Sequence, residues 1–256
     1  MPTGPHAAGE RDHFARLAAR YDRLRPLDSN WEEMLARLVD EAQLAGRRVL
    51  EVGTGTGRLA VALTERYACS VVATDGSAEM LAVGQSCTQG IRFEQALAER
   101  LPFQAQTFER VVTYMAVHLF DRPRAFSEFQ RVLTTDGVAA ISTPDPDSFG
   151  GFVWASYFPS YADVDRARSP SAQSLLDELA TAGFRSPRVV RLNQQKSISR
   201  EEALTRIRER AFSTFQLIGD NEFEAGLRQA EETMPPQVSY PVVWLIALGS
   251  KASDAV

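Results

Sequence analysis

The stretch VLEVGTGTGRL, residues 49–59, constrains this chain more than any other. Val49, Leu50 and Val52 around Glu51 fit a short buried parallel strand. Gly53, Gly55 and Gly57 then force an abrupt turn into the helical run LAVALTERY. A strand, a glycine turn and a helix start make a ligand cradle. Backbone without Cβ atoms can approach a ligand closely, and the first N–H groups of the helix point into the same space.

The spacing is wrong for the dinucleotide fingerprint G-x-G-x-x-G, because the sixth position from Gly53 is Arg58 and the third glycine, Gly57, comes one residue early. A nucleotide-dependent oxidoreductase is therefore the poorest of the readings. What stands here is E-x-G-x-G-x-G, with the acid inside the strand. A second apolar run, SVVATD, ends in Asp75, 22 residues after Gly53. Two acidic strand ends flanking a glycine turn suit a ligand with an ammonium group and a ribose diol, since carboxylates accept charge-assisted or paired hydrogen bonds. S-adenosylmethionine has both groups and no phosphate.

Five stretches in order, VLEVGTGTGRLA, VVATDGSAEML, FEQALAERLPF, FERVVTYMAVHLFDRP and FSEFQRVLTTDGVAAIST, resemble the class I S-adenosylmethionine-dependent methyltransferases, especially the small-molecule branch that includes quinone-biosynthesis enzymes. The resemblance covers residues 14–145 closely and the final strand loosely. It implies an α/β fold: a Rossmann-like, doubly wound, seven-stranded sheet, mostly parallel with an antiparallel last strand, to which this chain's own helical patterns between the last two strands add a small helical cap. It implies that Glu51 holds the methionine ammonium, that Gly53, Thr54 and Gly55 supply close backbone, and that Asp75, with Gly76 beside it, takes both ribose hydroxyls. Ala98 lies by the adenine. The family often carries an Asp-Ala pair there, whereas Leu97 stands in the acidic position, so one adenine hydrogen bond, worth about 1 kcal/mol net, is missing or replaced by apolar contact. Arg58 reads as a surface residue rather than a ligand.

The same resemblance places Tyr21, in the Tyr-Asp segment of an N-terminal helix, near the methionine end of the cofactor. Tyr114, Met115 and His118 follow the fourth strand and would face the reacting methyl group. His118 is one of three histidines, and an imidazole that titrates near neutrality suits a general base. A structural role for it is the plainer alternative. The implied reaction is in-line displacement at the sulfonium methyl, with S-adenosylhomocysteine as the other product. The alternative on the same fold is a protein that binds S-adenosylmethionine without transferring the methyl group.

Composition bounds the rest. With 256 residues, 44% of them hydrophobic, the chain can bury a full core. A net charge of −5 argues against a nucleic-acid surface, which needs a clustered basic face. Cys69 and Cys87 lack metal-like spacing and read as reduced thiols, and no metal site is expected. There is no secretory segment and no apolar run near 18 residues, so a cytoplasmic protein, monomer or homodimer, acting on a small-molecule methyl acceptor with no membrane insertion, is expected.

The whole chain, 1–256, reads as one methyltransferase domain. Residues 1–45 hold the N-terminal helices after a loose start at 1–10, and 46–145 form the cofactor-binding core. An aromatic loop at 146–165 carries Phe149, Phe152, Trp154, Tyr157 and Phe158, and either walls a substrate pocket or wedges the fold. A helical cap at 197–236, with helical patterns at 199–213 and 220–234, is inserted between the last two strands. Phe212, Phe215 and Leu217 are its expected pocket-facing side.

Overall fold

The computed structural model describes residues 5–252, with side chains from residue 12 onward. Its centre is a sheet whose strands are β1 (Arg48–Val52), β2 (Ser70–Asp75), β3 (Arg92–Gln95), β4 (Phe108–Tyr114), β5 (Leu133–Pro144), β6 (Phe184–Ser199) and β7 (Gln237–Lys251). They lie in the order β3-β2-β1-β4-β5-β7-β6. All neighbours are parallel except β7, which runs antiparallel to both β5 and β6. This is the expected doubly wound sheet.

The period-2 alternation of the strands sorts their side chains into two cores. Val49 and Val112 face one core with α2 (Ser29–Ala42) and α3 (Arg58–Tyr67). Leu50 and Val111 face the other, with α5 (Arg122–Val132) and α7 (Ala172–Thr181). Helix α2 begins where Asp28 accepts a hydrogen bond from Trp31 N at 3.0 Å, a side-chain cap for an otherwise unpaired N–H. Its buried face, Trp31, Met34, Leu35 and Leu38, closes the first core. Burying each such large side chain contributes about 1.5–3 kcal/mol. Ser77 caps α4 (Ala78–Cys87) and Ser171 caps α7.

One local expectation changes, at the N-terminus. The first helix, α1, spans Pro5–Leu24, so it takes in most of the stretch read as loose; residues 1–4 lie outside the described residues. Strand β5 starts at Leu133, because Leu133 pairs with Phe108 and the register then shifts before Arg110 meets Val138. Asp136 absorbs the irregularity with φ +60, a conformation Asp tolerates better than most residues. The cap is made of α8 (Arg200–Arg208), α9 (Thr214–Leu217) and α10 (Asp220–Thr233), strung between β6 and β7. Its Leu204, Ile207, Phe215 and Phe223 belong to the same core as Leu38 and Val49.

The aromatic loop forms two short 3-10 turns, Pro146–Gly151 and Val153–Ser156, leading into α6 (Tyr161–Arg168). It both wedges and walls. Phe158 is fully buried, with its ring 5.1 Å from Phe215 and 5.8 Å from Phe223 of the cap. Phe149, Phe152 and Trp154 line a cavity. In the cap only Phe212 of the three expected side chains reaches that cavity. Phe215 is held inside the aromatic cluster instead. No helix among the described residues is long and apolar enough to cross a membrane.

Candidate active site

Strand order reverses between β1 and β4: the chain leaves β1 for β2 and β3, then returns to β1's other side. Open α/β sheets bind ligands in the crevice outside the carboxyl ends of the strands at such a switch point. A cavity of about 430 Å³ lies there. Glu51, Gly53, Thr54, Gly55, Asp75, Gly76, Leu97, Ala98 and Tyr114 all line it, together with Tyr21 from α1. Residues up to 93 positions apart in the chain, from Tyr21 to Tyr114, thus converge on one space.

The glycine turn is built by positive φ angles, +76 at Gly53, +57 at Gly55 and +81 at Gly57. Its N–H groups are largely committed within the protein. Gly53 N and Thr54 N donate to Thr74 O at 2.8 and 2.9 Å, and Gly55 N donates to Asp75 Oδ2 at 2.8 Å. Asp75 Oδ1 accepts from Ser77 N at 2.9 Å. At Gly53, Thr54 and Gly55 the turn therefore offers shape rather than N–H donors, and Asp75 braces that shape while keeping spare lone pairs toward the cavity.

Glu51 is the chemical anomaly of the cavity. Its side chain is buried, 2% exposed, and Oε2 has no hydrogen-bond partner. Burial pushes its carboxyl up to about 8, and the Asp75 carboxylate adds to the shift. Burial raises Asp75 as well, against the backbone N–H groups of Ser77 and Gly55. A buried acid and a half-buried one facing one cavity make a site that favours a positively charged ligand.

This has a consequence for the ligand-free protein. Between the ordinary glutamate value of 4.5 and the folded value of about 8, the folded chain holds a proton on Glu51 that the unfolded chain has released. Stability must then fall as pH rises through that window. The expected result is a melting temperature that declines from about pH 5 to about pH 8, with Glu51→Gln, which cannot ionise, removing most of the decline. An equally steep decline in Glu51→Gln, followed by scanning calorimetry, would contradict the assignment.

A second cavity, about 190 Å³, adjoins the first. Tyr21, Arg58, Tyr114 and Met115 line both. Its walls are aromatic: the Tyr114 and Trp244 rings stack at 5.2 Å, and Phe149, Phe152, Trp154 and Tyr240 continue the surface. His118 sits in a 3-10 turn, Val117–Leu119, and faces only this second cavity. Burial lowers its imidazole to about 3, with Arg168 and Arg25 adding to the effect. It is neutral at physiological pH, rather than poised to titrate there as its residue type predicts.

Arg58 is not the surface residue its sequence position indicates. Its Nε lies 3.3 Å from Asp22, it donates to Arg25 O, and its guanidinium stands 5.3 Å from the Tyr21 ring centre. Thr56 Oγ1 also donates to Asp22, at 2.7 Å, so α1 is fastened across the mouth of both cavities. Phe120 and Glu99 are further lining residues that sequence reading passed over. Glu99 Oε1 accepts from Asp121 N at 2.7 Å. Only its place two residues beyond Leu97 hinted at it.

A family model described as a methyltransferase domain matches residues 49–137. The malonyl-(acyl-carrier protein) O-methyltransferase of Geobacter sulfurreducens is 30% identical over 190 residues, covering 70% of this chain and 71% of its own length. The chain belongs to the class I S-adenosylmethionine-dependent methyltransferases. A demethylmenaquinone methyltransferase of Chlorobaculum parvum is 28% identical over 216 residues, covering 73% of this chain and 89% of its own. Among solved structures, the Bacillus subtilis protein YcgJ shares the fold with a TM-score of 0.64 and 21% identity, over 87% of this chain and 100% of that one. In this methyltransferase the matched segment runs from β1 to the start of β5 and contains Glu51, the glycine turn and Asp75.

Proposed function

We propose that this methyltransferase moves the methyl group of S-adenosylmethionine to an O, N or C nucleophile of a small apolar or aromatic metabolite. Glu51 carries the reading: a buried carboxyl oxygen, Oε2, with no partner, in the cavity that also holds Asp75. An ammonium supplies the missing donor, and a ribose diol suits the lone pairs that Asp75 keeps free. Gly55 supports close approach, since a Cβ built there meets nothing within 4 Å and the space beside the turn is open.

When bound, the cofactor supplies an activated methyl group, and the chain's own residues position the acceptor and exclude water. Glu51 would hold the methionine end of the cofactor and Asp75 its ribose, and Leu97 and Ala98 would form an apolar seat for its base. Tyr21, Tyr114 and Met115, lining both cavities, face the transfer point. Burial also pushes the Tyr114 phenol up, so it stays protonated and can donate a hydrogen bond. His118, kept neutral, accepts a hydrogen bond from the acceptor rather than storing a proton.

The second cavity supports a small acceptor, because its volume is below the span of about 300–1,000 Å³ usual for drug-sized ligands. Isotope-labelled S-adenosylmethionine incubated with a metabolite pool, read by mass spectrometry, is expected to yield a labelled product. Tight cofactor binding with no labelled product would contradict methyl transfer to small metabolites. His118→Gln is expected to slow turnover without changing cofactor affinity. Because the imidazole titrates near 3, the wild-type rate at saturating S-adenosylmethionine should also show no protonation step of His118 between about pH 5 and about pH 7. A rate that halves near pH 6.5 in wild type and not in His118→Gln would restore His118 as a titrating base.

A further inference from the structure

The second cavity is lined by five cationic side chains, Arg25, Arg58, Arg168, Lys196 and Arg206, against two acids, Asp28 and Asp165. Four of the cations have carboxylate partners. Arg168 pairs with Asp165 at 2.7 Å, Lys196 with Asp28 at 2.8 Å, Arg58 with Asp22 at 3.3 Å, and Arg206 with Glu202. Arg25 pairs with no carboxylate among the described residues. Its Nε and Nη2 donate to Ala211 O, and its Nη1 donates to Tyr21 OH at 3.2 Å.

Arg25 is also held still. Its guanidinium carbon lies 4.9 Å from the Tyr21 ring centre and 4.6 Å from that of Phe212. The ring contacts and the bonds to Ala211 O fix the plane of the group, so little entropy is lost when it binds something further. The donors left over are on Nη1 and Nη2, the pair of nitrogens that grips a carboxylate in two parallel bonds. The field here is positive, since Arg25 and Arg168 both help to hold the His118 imidazole down.

Resting on the reading of this cavity as the acceptor site, we infer that the acceptor is a small aromatic acid whose carboxylate is gripped by Arg25 while its ring lies among Tyr114, Trp154, Tyr240 and Trp244. One unpaired cation calls for one anionic group. A lining of stacked and tilted rings calls for a flat apolar body. The volume of about 190 Å³ limits that body to about one ring.

The test is calorimetric titration of the S-adenosylhomocysteine-loaded protein with benzoate, phenylacetate and 3-phenylpropionate, each beside its uncharged amide of the same shape. At least one acid is expected to bind about tenfold more tightly than its amide. That preference should fall below about threefold in Arg25→Gln and survive in part in Arg25→Lys, which keeps the charge without the fork. Circular dichroism checks that each variant is folded. If Arg25→Gln does not fold, the wild-type pairs and Arg25→Lys still decide. Acids that bind no better than their amides, no binding of any acid, or a preference undiminished in the folded variants would overturn the inference. Failure of S-adenosylhomocysteine to bind in the first step would strike the functional reading instead, and the acid and amide pairs can then be compared on the ligand-free protein.

Discussion

Asp75→Ala is expected to weaken S-adenosylmethionine binding at least tenfold by titration calorimetry. Two effects add. The carboxylate braces the glycine turn through Gly55 N at 2.8 Å and Ser77 N at 2.9 Å, and alanine leaves both N–H groups without that acceptor. The spare lone pairs assigned to the ribose hydroxyls are lost as well, and hydrogen bonds to charged groups contribute about 1.5–3 kcal/mol each. A loss nearer a hundredfold than tenfold follows if both hydroxyls are engaged, at about 1.4 kcal/mol per factor of ten. Asp75→Asn retains an oxygen for the turn and should fall between wild type and alanine. An unchanged affinity in Asp75→Ala would remove the ribose role.

Gly53→Ala is expected to be the most damaging single-methyl change in the cradle. A Cβ there would sit 2.4 Å from Ala116 Cβ and 3.3 Å from Phe120 Cζ, on a residue already at φ +76. Positive φ alone costs a residue with a Cβ about 1–2 kcal/mol, and forcing a methyl into packed surroundings costs about 1–3 kcal/mol more. At about 2–4 °C per kcal/mol for a chain of this size, the melting temperature should drop by about 5–15 °C. Gly55→Ala is the control. Its φ is +57 and a Cβ there meets nothing within 4 Å, so only the conformational cost applies, about 1–2 kcal/mol. Equal losses of melting temperature in the two variants would show that the contact with Ala116 is not what requires glycine.

The cofactor cradle was legible because its signals are local. A carboxylate inside an apolar strand, a glycine turn and a second acid 22 residues after Gly53 can be read without knowing what packs on them. The sheet was legible because the five stretches that resemble the family follow one another in order, with strand giving way to helix along them. The commitment of the turn's N–H groups to Thr74 O was hidden, because it depends on how β1 and β2 register. Arg25 and Arg58 were hidden for another reason. The meaning of Arg25 comes from Phe212 and Ala211, more than 180 positions away, and that of Arg58 from Asp22 and Tyr21 of α1, which fold beside it. The low pKa of His118 is likewise a product of burial and of Arg168 and Arg25, which residue type cannot express. Phe215 and Leu217 were placed toward the pocket by their position in the cap, but three-dimensional packing turned Phe215 into the cluster with Phe158 and Phe223.

One measurement bears most directly on all of this: a crystal structure of the protein soaked with S-adenosylhomocysteine. The amino group of the ligand should lie within hydrogen-bond distance of Glu51, its ribose hydroxyls on Asp75, and its base beside Leu97 and Ala98. An empty cradle at saturating ligand, or the ligand bound with Glu51 still unpartnered, would contradict the account.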